Sequence, residues 1–174
     1  MSMGDFSVDR WNTFVQQVGE ALRVRRLGPL VFARCHWESD TPLEKLPPKL
    51  ARLVETLAQW MQQPPERFYL TRKAELASVT LVVEFRPSAT AIVSHARGFA
   101  DLHAPTSAGV SDTQAEKPIG FPGIRPLGLD LFLLGTQGAI YLDGTQDDWP
   151  GDPLVVPDLP ADHPIHKQLA QVWP

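Results

Sequence analysis

Residues Ala77 to Arg97 read ASVTLVVEF-RPSA-TAIVSHAR, and the way this stretch folds back on itself decides the fold. Two runs rich in Val, Thr, Ile and Phe flank a Pro-Ser turn, which is the pattern of an antiparallel hairpin. A loop of two or four residues centred on Pro87-Ser88 sets Phe85 opposite Thr90. Side chains alternate across a strand, so one face then carries Val79, Leu81, Val83, Phe85 and Ile92. The other carries Thr80, Val82, Glu84, Ala91, Val93, His95 and Arg97. The first face is the expected seat for helices. The second, apolar at its centre with a polar rim, has the make-up of an interface.

Working outward, the segment before the hairpin supplies the helices. Val8, Trp11, Val15, Val18 and Leu22 recur at helical spacing, and Gly28-Pro29 stops that helix. Leu30 to Trp37 (LVFARCHW) reads as a strand. Thr41-Pro42-Leu43-Glu44 has the form of a capping box. A second helix is expected from about Pro48 to Gln62, with Leu50, Leu53, Val54, Leu57, Trp60 and Met61 on one side, ended by Gln63-Pro64-Pro65. Phe68 to Arg72 reads as a short strand.

Beyond the hairpin, Gly98 to Leu127 is a Pro-containing connection of about 30 residues, a length that marks a functional or mobile loop. Leu129–Leu134 and Ala139–Leu142 form a second hairpin around Gly135-Thr136-Gln137-Gly138. The chain from Gly144 onward is polar and Pro-rich, with a last helical turn around His166 to Val172. These signals give an α+β fold, an open and mostly antiparallel sheet with helices on one face. They divide the chain into one domain over residues 1–144 and a tail over 145–174.

Composition narrows the function classes. The 174 residues are 43% hydrophobic and 21% charged, ordinary for a globular protein. Sixteen basic and twenty acidic residues leave a net charge of −4, without the clustered cations that phosphate backbones require. Arg23, Arg25 and Arg26 stand at an expected helix end, where cations suit the dipole. Nucleic acid is therefore not an expected partner. No apolar run reaches the roughly 20 residues of a membrane span, and the single cysteine, Cys35, fits a cytoplasmic setting.

Several stretches together resemble the C-terminal domain of the glucose–fructose oxidoreductase/inositol dehydrogenase/rhizopine-catabolism family of NAD(P)-dependent dehydrogenases. They are FVQQVGEALRVRRLGPLVFARC (Phe14–Cys35), LAQWMQQP before the strand VTLVVEF, and LFLLGTQGAIYLDG (Leu131–Gly144). The resemblance covers Val8 to Gly144. It implies an open sheet with helices on one side and association between copies through that sheet.

The family's chemistry does not carry over with it. The glycine-rich turn of a dinucleotide-binding domain has no counterpart here, so no cofactor is expected. Glu116-Lys117-Pro118 matches the family's lysine motif in letters but lies in the long loop. The family's paired His and Asp fall, by the register of Trp60, at Leu53 and Thr56. Neither carries a proton at neutral pH.

Other candidates are weaker. His163 and His166 lack a third metal ligand. Adjacent Cys35 and His36 point to opposite faces of a strand. Ser88, Ser94 and Asp147-Asp148 have no hydrolytic spacing, and Trp11, Trp37 and Trp60 read as core anchors. His95 sits, on the expected register, beside Glu84 and Arg97, and reads as a hydrogen-bonded or interface histidine ahead of a proton carrier.

The leading expectation is a domain that does no chemistry on its own and forms a homodimer through the helix-free sheet face. Two others follow from the same residues. One is the substrate-side subunit of a split oxidoreductase whose Rossmann part is a separate protein. The other is a small-molecule binding module with the long loop as a lid.

Overall fold

The computed structural model describes residues 3–24, 27–73, 78–97, 129–142 and 155–173, with side chains from Trp11 onward. Helix α1 (Met3–Val24) leads into β1 (Leu30–Ser39), a 3-10 turn (Leu43–Lys45) and α2 (Pro47–Met61). Strands β2 (Pro65–Lys73), β3 (Ser78–Phe85), β4 (Ala89–Arg97), β5 (Leu129–Gly135) and β6 (Gly138–Leu142) follow, then α3 (Pro164–Val172). The fold is α+β, as the sequence pattern implies. The long connection between β4 and β5 lies outside the described residues.

The six strands form one sheet in the order β2-β3-β4-β1-β5-β6. β1 enters between β4 and β5, running parallel to β4 and antiparallel to β5, and every other pairing is antiparallel. The helical layer covers one side. There Ala33, Cys35 and Trp37 of β1 share rows with Ala91, Val93 and His95 of β4, all at most 3% exposed. The alanines leave room for α2, whose Leu50, Ala51, Val54 and Leu57 are buried. A fully buried leucine contributes about 2 kcal/mol by removal of its surface from water.

Thr41–Glu44 does not form a capping box. Pro42 precedes the 3-10 turn without a side-chain cap, and α2 begins five residues later at Pro47. Gln62 ends α2 in the left-handed conformation, at φ 55°. The C-terminal segment is part of the same core. Val156, Leu159 and Leu169 are buried, Leu159 N donates to Pro48 O, and Lys49 Nζ donates to Val156 O at 2.8 Å. His163 caps α3 and lies 3.4 Å from Glu55, while His166 turns to the Pro160 carbonyl, so the two do not converge.

The two glycine motifs meet in space. Thr136 N donates to Pro29 O and Gln137 N to Leu27 O, docking the β5–β6 turn on the link between α1 and β1. A Cβ on Gly135 would run into the Leu27 carbonyl, whereas one on Gly138 would meet only the end of the Leu27 side chain, at 3.2 Å. Backbone cannot yield as a side chain can. Gly135→Ala is therefore expected to cost about 2–3 kcal/mol and Gly138→Ala less than about 1 kcal/mol. Chemical denaturation of both variants checks the ordering, and equal losses would contradict the docking.

Candidate functional site

The hairpin register departs from the expected one, and this redraws the candidate face. Arg86, Pro87 and Ser88 make a three-residue turn, so Phe85 pairs with Ala89, Val83 with Ala91 and Leu81 with Val93. A slip of one residue moves every side chain of a strand to the other face. Of the seven residues expected together, Thr80, Val82 and Glu84 lie on the helix-free face. Ala91, Val93 and His95 lie buried beneath the helices. Arg97 shares their parity at the exposed end of β4. Ile92 moves the opposite way, out of the expected core.

The registers arrange the helix-free face in rows. One row runs Tyr69, Val82, Ile92, Arg34, Phe132 and Tyr141 across all six strands. The next on one side is polar: Thr71, Thr80, Ser94, His36 and Asp130. On the other side, Phe32 and Leu134 pair, and Phe32 packs against Phe132 with centroids 6.3 Å apart. Tyr141 is 61% exposed, Tyr69 49% and Leu134 36%. Among the described residues, the helices all pack on the opposite side.

Within the polar row, His36 Nδ1 and Ser94 Oγ are hydrogen-bonded at 2.8 Å, and His36 Nε2 lies 3.3 Å from Glu38 Oε1. The sequence singled out His95 for this face, but His36 is the histidine that occupies it. Alternation in β1 is the signal that could have found it, since Phe32, Arg34, His36 and Glu38 alternate with apolar Ala33, Cys35 and Trp37.

On the helix side, His95 is 1% exposed and packs against Trp37 with ring centroids 4.9 Å apart and planes tilted by 59°, with Nε2 hydrogen-bonded to Ser39 Oγ. Burial lowers its pKa to about 4, opposed in part by the hydrogen bond at Ser39. Burial, aided by the Asp130 carboxylate, pushes the Cys35 thiol up to about 12, which leaves it a packing group. Leu53 and Thr56, the positions to which the sequence resemblance pointed for an acid–base pair, are both 3% exposed. They line a void of about 10 Å³ with Trp11, Phe14, Cys35 and Trp60 among its walls. Thr56 Oγ1 is spent on the Arg52 carbonyl, at 3.0 Å.

No protein-family model matches the chain, and no curated protein matches it in sequence. Solved structures do. A scyllo-inositol dehydrogenase from Lactobacillus casei, with bound NAD(H) and scyllo-inositol, superposes with a TM-score of 0.50 at 9% identity. The match covers 86% of this chain and 43% of that one. The apo form of that enzyme matches at 0.48 with 7% identity, over 78% and 39% of the two chains. A probable dehydrogenase from Thermotoga maritima matches at 0.48 with 11% identity, over 74% and 38%. The chain has a dehydrogenase-domain fold. This agrees with the resemblance to a C-terminal domain read from the sequence, and the chain spans less than half the length of these proteins. At such identities the likeness is one of fold.

The sign of the His95 pH effect follows from its lowered pKa. Below its ordinary value of 6.5, the unfolded chain takes up a proton that the folded chain refuses down to about 4. The stability is therefore full above pH 6.5 and declines as the pH falls towards 4. Between pH 7.5 and 5 the wild type is expected to lose about 1–2 kcal/mol more than His95→Gln, which does not titrate there. Denaturant unfolding at the two pH values measures the difference, and parallel losses would remove His95 from the account.

Proposed function

We propose that this chain is an oxidoreductase-like assembly domain that self-associates through the helix-free face of its sheet and performs no chemistry alone. The observation that carries this reading is the row from Tyr69 to Tyr141, apolar apart from Arg34 and spanning all six strands. Polar residues flank its centre, as at protein interfaces. Strands about 4.8 Å apart and residues about 3.3 Å apart give a sheet face of roughly 600 Å². One partner in an interface of standard size gives up about 800 Å², so the face is of the right order for a stable pairing. The interface set becomes Thr80, Val82 and Glu84 with Ile92, Ser94, Arg34 and Phe132. Ala91, Val93 and His95 leave it.

A second reading makes the chain the substrate-side subunit of a split NAD(P)-dependent oxidoreductase. It is favoured by the partial match, since the chain aligns with 43% of an enzyme whose structure holds NAD(H) and scyllo-inositol. A Rossmann-domain protein would then supply the cofactor. Both readings expect no NAD(P)H binding by the chain alone, and saturable quenching in a fluorescence titration would overturn both.

The self-association reading has its own test. Val82→Lys and Phe132→Lys each place unpaired charge in the face and are expected to halve the particle mass seen by light scattering at high micromolar concentration. A wild type that is monomeric there, or variants that keep its mass, would refute it.

A further inference from the structure

Two serine–histidine pairs stand on opposite faces of the sheet, and they differ in what lies behind the histidine. On the helix side, Ser39 Oγ is 3.0 Å from His95 Nε2 and accepts from the amide of Thr41 at 3.2 Å. His95 is 1% exposed, and among the described residues its Nδ1 has no hydrogen-bond partner. On the helix-free face, Ser94 Oγ is 2.8 Å from His36 Nδ1, and His36 Nε2 is 3.3 Å from Glu38 Oε1. The side chains of His36 and Glu38 are 28% and 35% exposed, so this second set is within reach of a reagent.

The hydrogen-bond directions in the exposed set follow from its chemistry. An ionised carboxylate only accepts, so the Glu38 contact puts the proton of the neutral His36 ring on Nε2. Nδ1 is then the acceptor, and the Ser94 hydroxyl donates to it. A nucleophile within hydrogen-bond reach of a base, with the base oriented by a third group, is the arrangement that activates a serine. β1 carries the ring and the carboxylate two residues apart on one face, and its parallel pairing with β4 sets Ser94 opposite His36. The 58 residues between Ser94 and His36 are why no spacing in the sequence displays the set.

We propose that Ser94 is an acylation site, activated by His36 and Glu38, that takes its acyl group from an activated carboxylic ester or thioester. The Ser94 oxygen attacks the carbonyl carbon, its proton passes to His36 Nδ1, and the bond to the leaving group breaks with its electron pair. The proton then moves from Nδ1 to the departing phenolate or thiolate, leaving a serine ester and a neutral phenol or thiol. Ile92, two residues before Ser94, pairs with Val82 to give an apolar bed that suits a short apolar acyl group. Arg34, two residues before His36 on the same face, puts in the neighbouring row the positive charge that a tetrahedral oxyanion calls for.

The face stops short of turnover. The backbone amides of β1 and β4 are engaged in ladders with strands on both sides, so they supply no oxyanion hole. The ester is therefore expected to persist, which makes the chain the acceptor of the acyl group rather than an enzyme. This goes beyond the assembly reading without depending on it. Ser94 stands in the polar row beside the apolar centre, and the rim of an interface stays open to solvent.

Treatment of the dilute whole chain with p-nitrophenyl acetate, followed by peptide mass mapping, tests the site. Ser88, exposed in the turn between β3 and β4, is an internal standard that needs no variant. Ser94 is expected to acetylate about 100-fold faster than Ser88, and His36→Gln to remove that advantage, because an amide hydrogen-bonds but takes no proton. The groups facing the ring are Arg34 and Glu38 on β1, Ser94 on β4 and Asp130 on β5. Glu38→Gln is expected to slow Ser94 and to move its rise with pH to lower pH, since a carboxylate favours the imidazolium. A merely structural loss would slow the reaction without moving the profile. Ser94 reacting no faster than Ser88, or acetylation of Ser39 in its place, would overturn the assignment. So would an advantage that survives His36→Gln, or a pH profile indifferent to Glu38→Gln.

Discussion

The parallel pairing of β1 with β4 is the constraint on which the rest of the structure depends. β1 has strands on both sides, so its register fixes the parity of the whole sheet. With Ala33, Cys35 and Trp37 turned towards the helices, Val93 and His95 must lie there too, and Phe32, Arg34, His36 and Ile92 must face away. Parallel neighbours need a crossover. Here it is made of α2 and the strands β2 and β3, which places the helix over the strands it links. One pairing thereby decides which residues are core and which face away from the helices.

Much of this is legible in the sequence, and the exceptions have physical causes. The apolar stripes of α1 and α2, the strand after Gly28-Pro29 and both hairpins follow from periodicity and turn residues. The face composition of β4 does not, because it hangs on the length of one turn. Nothing in Arg86-Pro87-Ser88 distinguishes a three-residue turn from a loop of two or four, and Ile92 looks more like core than Ala91 does. Burial of Ala91 makes sense only once α2 is known to lie close above it. The place of β1 is likewise a long-range fact. His36 and Ser94 are 58 residues apart and joined by a hydrogen bond that no local pattern announces. Polar composition in the C-terminal segment suggested a tail, but a few apolar residues, Val156, Leu159 and Leu169, suffice to bind it to α2.

The two sides of the sheet have taken different chemical paths. The helix side is closely packed. Leu53 and Thr56 border an apolar void, the thiol of Cys35 is too buried to ionise, and His95 is held neutral. The opposite side keeps Tyr, Phe, Arg, His and Ser within a few strands of one another, a mixture rich in the aromatic and arginine side chains that dominate binding surfaces. These aromatic, arginine and histidine side chains are thus gathered on the side turned away from the helices.

The insertion of β1 also has a consequence for how the protein is made. β1 leaves the ribosome before both of its neighbours, which are encoded much later in the chain. It can enter the sheet only after Arg97 has emerged on one side and Gly135 on the other. The helical layer waits longer still, since Lys49 takes its carbonyl partner from Val156, 107 residues downstream. Contacts of such separation slow folding. During synthesis, Phe32 and Trp37 lack their β5 partners, Leu134 and Leu129, while β2, β3 and β4 can already pair. The nascent chain therefore passes through a stage in which the meander exists and β1 is still open on its β5 side, the stage at which a holding chaperone would have most to protect.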